Sequence, residues 1–141
     1  MIVITKNEAH HIEGCLQSVL FADQLVVLDS GSTDGTQELA QALGAEVSVN
    51  TDWQGFGIQK NRALALASGD WVLCVDADER LPLALQDAIK SAISAPAFQV
   101  YSFPRLSSYC GQYMRHSGWY PDRVSRLFRR GSAQFSNDLV H

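Results

Sequence analysis

Two aspartates one residue apart, Asp76-Ala77-Asp78, follow the apolar run Trp71–Val75, and Glu79 comes directly after them. Carboxylates crowded in this way repel one another, which costs stability unless a cation is shared. A hard divalent ion such as Mg²⁺ or Mn²⁺ prefers oxygen ligands and commonly combines one or two protein carboxylates with substrate phosphates. The D-x-D pair therefore suits a metal-bound diphosphate, with Lys60 and Arg62 as cations to pair with it. Taken alone, D-x-D is common by chance. A second apolar run, Leu25–Leu28, ends on Asp29 and leads into Ser30-Gly31-Ser32-Thr33-Asp34-Gly35, which is turn and helix-cap chemistry. In that setting Asp34 reads as a cap for the following helix.

These carboxylates act together only if the elements beneath them deliver them to one edge. Ile2–Ile4 reads as a short strand, and Ile12, Cys15, Leu16, Val19 and Leu20 form the stripe of an amphipathic helix. The continuous run Leu25–Leu28 fits a strand covered on both faces. A helix with Leu39, Ala42 and Leu43 follows and stops at Gly44, and Val47 and Val49 mark a third strand. After the loop Trp53-Gln54-Gly55-Phe56-Gly57 come a helix from about Gln59 to Ser68 and the strand Trp71–Val75. Pro82 suits a first helical residue, with Leu85, Ala88, Ile89, Ala92 and Ile93 as the buried stripe. Phe98–Phe103, Val124–Arg129 and Ala133–Phe135 read as further strands. Alternating strands and helices predict α/β layers around a mostly parallel sheet, where ligands bind at the carboxyl ends of the strands.

Composition narrows the class. The chain has 141 residues, 46% hydrophobic and 18% charged, as expected of one globular domain rather than a disordered chain. No run approaches the roughly 20 apolar residues needed to span a bilayer, and Met1 leads into Ile2-Val3-Ile4 without a basic segment, so no signal peptide is expected. Cys15, Cys74 and Cys110 form neither a disulfide framework nor a C-x-x-C zinc pattern, and a cytoplasmic setting is the simplest expectation. There is no G-x-G-x-x-G and no G-x-x-x-x-G-K-[ST], which argues against dinucleotide oxidoreductases and P-loop NTPases. The net charge of -4 is unevenly spread. Residues 1–104 hold 13 acidic against 5 basic residues, and residues 105–141 hold 6 arginines against Asp122 and Asp138. From Phe98 onward lie nine of the thirteen aromatics, so the second part offers either a distinct partner surface or an ordinary solvated basic face.

Four segments occur in order at suitable separations: Thr5-Lys6-Asn7-Glu8-Ala9; Asp29-Ser30-Gly31-Ser32-Thr33-Asp34-Gly35-Thr36; Gln59-Lys60-Asn61-Arg62-Ala63-Leu64; and Gly69 through Asp76-Ala77-Asp78-Glu79. As a set they resemble the family 2 glycosyltransferases. Gly118-Trp119-Tyr120-Pro121-Asp122, Arg126-Leu127-Phe128-Arg129-Arg130 and Val140-His141 resemble the bacterial branch that glucosylates the lipopolysaccharide inner core. The resemblance covers essentially the whole chain. It implies the GT-A fold, a Rossmann-like α/β architecture with a mostly parallel central sheet flanked by helices. It also implies a single domain over 1–141, with a nucleotide-sugar-binding part (1–104) and a partial acceptor-side part (105–141). Members of the family generally start several residues earlier and continue past the Val-His motif, so truncation at the C-terminus is expected.

Carried onto matching positions, the resemblance places Thr5, Glu8 and Asp29 around the nucleotide base, with Asp29 accepting from a uracil-type N–H. Asp76 would lie near the ribose and diphosphate, Asp78 would ligate Mg²⁺ or Mn²⁺, and Lys60 and Arg62 would approach the nucleotide. His141 matches a position that supplies a further metal ligand in some members, although a terminal histidine is more often merely solvated. An inverting transferase needs a general base for the acceptor hydroxyl. Asp122 is the candidate, and its alternative is an ion pair with Arg123 or Arg126. The partners implied are a nucleotide-diphospho-sugar donor, such as a UDP-hexose, and a saccharide or lipid-linked saccharide acceptor, with no nucleic acid. The arginines and aromatics of the tail would suit a phosphorylated acceptor or peripheral contact with the cytoplasmic face of the inner membrane. Two rivals are a non-catalytic nucleotide-sugar-binding domain and a sugar-phosphate nucleotidyltransferase. The latter usually carries a glycine-rich basic loop after its first strand, and Thr5-Lys6-Asn7-Glu8 has no glycine.

Overall fold

A computed structural model describes residues 1–103 and 124–135. The elements in chain order are β1 (Ile2–Thr5), α1 (Ile12–Gln17), β2 (Val26–Asp29), α2 (Thr36–Ala42), β3 (Glu46–Val49), α3 (Phe56–Ala65), β4 (Trp71–Leu73), α4 (Leu83–Ser94), β5 (Val100–Phe103) and β6 (Val124–Arg129). Strands β1, β2 and β3 pair in parallel, with Thr5 opposite Asp29 and Asp29 opposite Val49 at their carboxyl ends. Strands β4, β6 and β5 form an antiparallel set in that order. A parallel bridge between Ile2 and Cys74, with the Val75 N–H donating to the Ile2 carbonyl at 3.2 Å, seats β4 beside β1. Only β6 runs against the other described strands, so the sheet is mostly parallel.

Alternation along the strands builds a core on each face, because successive side chains point to opposite sides. Val3, Val27, Leu73 and Leu127 face one way and pack with Ile12, Cys15 and Leu16 of α1, Ala40 of α2, and Leu85 and Ile89 of α4. Ile2, Val26, Leu28, Val72, Cys74 and Phe128 face the other way, against Ala63 of α3. With both faces covered, the strands must be apolar throughout, which is why Val26–Leu28 shows no polar alternation. Cys15 and Cys74 are buried free thiols, and Cys110 lies outside the described residues. Among the described residues, no helix is long and apolar enough to cross a membrane.

Several boundaries differ from expectation. The first helix is only six residues long, and its stripe ends at buried Val19; Leu20 is exposed. Helix α3 starts at Phe56, three residues before the expected Gln59, because the Gly55 carbonyl already accepts the Gln59 N–H at 3.1 Å. Pro82 is the extended N-cap of α4 rather than its first helical residue. Ala133–Phe135, expected as a strand, is irregular. There the Asn61 side-chain amide accepts the Phe135 N–H at 2.9 Å and donates to the Phe135 carbonyl at 2.8 Å. A side chain thus takes the place of a neighbouring strand.

Candidate functional site

The carboxyl ends of β1 and β2 are tied into one unit. Ser30 N–H donates to the Thr5 carbonyl at 3.0 Å, continuing the ladder beyond the strands. Asn7, in the left-handed conformation (φ 53°) that asparagine tolerates, donates its N–H to Ser32 Oγ and accepts from Thr33 N–H. Lys6 Nζ donates to the Gly31 carbonyl at 3.1 Å, and Glu8 N–H donates to Thr36 Oγ1 at 2.9 Å. Gly31 sits at φ 107°, and a Cβ there would meet Thr51 Cγ2 at 3.1 Å, so the crossing of these loops requires glycine. Asp34 accepts from the N–H and hydroxyl of Thr36, the first residue of α2, and from Ala9 N–H, so it ties the loops together from one position before the N-cap, which is Gly35 rather than the expected Asp34.

Asp29 lies beneath this junction, fully buried. Its two oxygens accept from Thr5 Oγ1, Gly31 N–H, Ser32 N–H, Ser32 Oγ and Gln37 Nε2, at 2.6–2.9 Å. Burial pushes its carboxyl up, but the donors, led by the Ser32 and Thr5 hydroxyls, outweigh burial and hold it near 2. Thr5 is likewise buried and spends its hydroxyl on Asp29, although its surface still lines the cleft described next. The structure therefore gives Asp29 five internal donors and places it behind the cleft wall.

A cleft of about 310 Å³ opens over the same strand ends, lined among others by Thr5, Lys6, Glu8, Ser30, Trp53, Phe56, Lys60, Asp76 and Asp78. Of the sequence-predicted residues, it brings together Thr5, Glu8, Lys60, Asp76 and Asp78. Lys60 Nζ, nearly buried, lies 4.0 Å from Asp76 Oδ1 and 5.6 Å from the centre of the Phe135 ring. Lys60 thus supplies part of the cation that the crowded carboxylates call for. Glu8 shows the opposite imbalance to Asp29. Burial pushes its carboxyl up, His11 lowers it, and Asp78, Asp34 and Asp76 raise it further. Among the described residues its buried Oε2 accepts no hydrogen bond, and His11 Nδ1 lies 3.6 Å from it.

This donor set fits a hard divalent cation. The lining carboxylates Glu8, Asp76 and Asp78 offer the oxygen donors such an ion prefers, and among the described residues the buried Glu8 Oε2 accepts no hydrogen bond. Among the described residues no three acidic, His or Cys side chains gather into a complete metal cage. A cation held here would take Asp78, with Asp76 beside it, and complete its shell with phosphate and water.

Arg62 is placed elsewhere. Its Nη1 donates to the Asp52 carbonyl at 2.6 Å and to Gln59 Oε1 at 2.9 Å, and its Nη2 lies 3.5 Å from Asp52 Oδ2. Two positions from Lys60 on a helix, it points well away from it, and it braces the loop that carries Trp53. Asp122 and His141 lie outside the described residues.

The ion pair of Glu79 with Arg126 was not foreseen. Both side chains are almost wholly buried, and Arg126 Nη2 donates to Glu79 Oε1. The same carboxylate oxygen accepts the Asp76 N–H at 2.7 Å, while Arg126 Nε donates to the Cys74 carbonyl at 3.1 Å. The guanidinium also lies 4.6 Å from the centre of the Phe103 ring. Glu79 therefore belongs to the support of the D-x-D turn. The signal that could have found this pair is an arginine beside Leu127 and Phe128 within a six-residue strand. Arg129 lies over Trp71 and Arg130 Nε donates to the Gly69 carbonyl, so the described tail arginines all have partners within the chain.

Comparison with known proteins agrees with this arrangement. Residues 1–139 match the family described as Glycosyl transferase family 2. An uncharacterized glycosyltransferase of Rickettsia bellii is 47% identical over 141 residues, covering 97% of this chain and 48% of that protein. The lipopolysaccharide core biosynthesis glycosyltransferase LpsC of Rhizobium meliloti is 32% identical over 153 residues, covering 99% and 54%. The chain spans about half the length of these relatives. Among solved structures, S. aureus TarS 1-349 superposes with a TM-score of 0.70 at 22% identity, covering 99% of this chain and 50% of that one, which shows the shared fold. Glucosyl-3-phosphoglycerate synthase from Mycobacterium tuberculosis, solved with Mn²⁺, UDP and glucosyl-3-phosphoglycerate, superposes at 0.57 with 30% identity, covering 70% and 40%. The fold is GT-A, and with the family match running through strand ends, D-x-D turn and tail alike, this chain belongs to glycosyl transferase family 2.

Proposed function

We propose that the cleft binds a nucleotide-diphospho-sugar, and that in the whole protein it serves inverting transfer of a hexose, from UDP-hexose, to a saccharide of the lipopolysaccharide core. The observation that carries this reading is the mixed lining of one cleft: three carboxylates, Glu8, Asp76 and Asp78, together with two ammonium groups, Lys6 and Lys60. A purely anionic pocket would hold a cation alone, and a purely cationic one would hold a phosphate alone. A lining with both signs suits a divalent cation together with a polyanion.

In this reading Asp78 holds the metal, Asp76 turns toward ribose and diphosphate, and Lys60 pairs with a phosphate oxygen. Thr5 and Glu8 flank the base, while Asp29 fixes Thr5 and the adjoining loops. A bound divalent cation would stabilise the departing nucleoside diphosphate. Asp122 would remove the acceptor proton. The relative that names lipopolysaccharide core biosynthesis supports the acceptor class, and the neighbour solved with Mn²⁺ and UDP supports the donor and cofactor class. Cytoplasmic placement, with peripheral contact at the inner membrane, follows from that acceptor.

The test is release of UDP from UDP-glucose, UDP-galactose and UDP-N-acetylglucosamine with and without Mn²⁺, on this chain and on a form extended to the length of its relatives. Metal-dependent release from one of these donors is expected in the extended form. Donor binding without release in either form would leave a binding domain in place of a transferase.

A further inference from the structure

The carboxylates of the D-x-D turn divide by what meets them. Asp78 is exposed and lines the cleft, whereas Glu79, the next residue, is 1% exposed and turned into the protein. Glu79 holds both ends of Asp76. Its N–H donates to the Asp76 carbonyl at 3.0 Å, and its Oε1 accepts the Asp76 N–H at 2.7 Å. The first of these bonds closes a β-turn with Ala77 and Asp78 at its centre, and the second locks that turn from the side-chain end. Ala77 is buried in the same core cluster as Cys15 and Leu81, and Cys15 Sγ donates to the Asp76 carbonyl at 3.5 Å. The turn that presents Asp78 is therefore shaped from its inner side, by groups that lie behind the cleft.

That inner side stands on β6. Arg126 donates through Nη2 to Glu79 Oε1 and through Nε to the Cys74 carbonyl at 3.1 Å, while its own carbonyl accepts the Cys74 N–H at 2.7 Å. One residue of β6 thus grips the chain on both sides of Asp76, at Cys74 and at Glu79. Its charge also answers that of Glu79, so the buried carboxylate adds less repulsion to the aspartates beside it. A loop that its ligand must first order loses binding free energy to that ordering. Groups behind a metal ligand that fix it beforehand typically change metal affinity 10–100-fold when they are removed. We propose that Glu79 and Arg126 are positioning residues for the divalent cation, and that together they hold the Asp78 turn in its metal-ready form before any ion arrives. This rests on the donor-site reading above. It adds that part of the metal affinity of the cleft is set outside it, by a strand residue 47 positions beyond Glu79.

Titration of the 141-residue chain with Mn²⁺ in the presence of UDP, followed by the electron paramagnetic resonance of the free ion, tests this on wild type and two double variants. Glu79→Leu with Arg126→Met replaces the pair by apolar side chains, a change that buried ion pairs often tolerate, and leaves the Asp76 N–H unheld. Glu79→Gln with Arg126→Met is equally uncharged but keeps an oxygen for that N–H. The first is expected to weaken Mn²⁺ roughly tenfold or more while keeping a cooperative unfolding transition, and the second to recover most of the loss. Wild-type affinity in the first, or equal losses in both, overturns the positioning role. If the first fails to fold, hydrogen exchange of the metal-free wild type decides. An Asp76 amide already protected before metal is added is the expected result, and one that gains protection only with Mg²⁺ and UDP overturns the proposal. A wild type that protects this amide yet binds no Mn²⁺ with UDP overturns instead the donor-site reading on which the role rests, so the two failures are told apart.

Discussion

At the scale of single residues, carboxylates that look alike in sequence have opposite surroundings. Asp29 is held low by five donors, so its ionised form stabilises the fold. That contribution is fully present above the ordinary value of 3.8 and is lost as pH falls through 3.8 toward about 2. Asp29→Asn should therefore cost about 2 kcal/mol at neutral pH. Urea melts across pH should show the wild-type advantage narrowing between those two values; an advantage unchanged there would mean that the ionised carboxyl adds nothing. Glu8 has the reverse sign, since a carboxyl pushed up in the fold works against stability once pH rises above its unfolded value. Asp76, Asp78 and Lys60 were legible as cleft residues from their own charge and placement, at a strand end and on the helix that follows the loop, whereas Thr5 and Glu8 were legible only through the family resemblance. The burial of Asp29 was not, since an aspartate at a strand end reads the same whether its partners are a ligand or its own loop.

At the scale of elements, the D-x-D turn is anchored by β6, which arrives from far along the chain. Arg126 on β6 meets Glu79, and Glu79 in turn holds the Asp76 N–H. Removing one member of a buried ion pair leaves the other unpaired, so Arg126→Ala should destabilise by about 3–5 kcal/mol. Denaturant unfolding measures this, and a loss below 1 kcal/mol would contradict the structural role. The apolar runs announced the two-faced sheet and the alternating helices because burial on both sides leaves no other composition for those strands. The pairing of β6 between β4 and β5 was not announced, since strand order depends on contacts that no local pattern records. The same holds for Ala133–Phe135, whose partner is a side chain of α3.

At the scale of the molecule, the described chain brings the parts of the proposed donor site together: strand ends stapled into one floor, a turn with two aspartates, a lysine from α3 and an aromatic loop. The expected metal ligand His141 and base Asp122 lie outside the described residues, and the relatives extend to about twice this length. The proposed ligand of this cleft is accordingly a metal-bound nucleoside diphosphate. Titration of the chain with UDP, with and without Mn²⁺, on wild type and Asp78→Ala, tests it most directly. Binding is expected to require Mn²⁺ and to disappear in Asp78→Ala, while the variant's unfolding transition stays that of wild type. Binding indifferent to both the metal and the substitution, or no binding by the wild type, would contradict it.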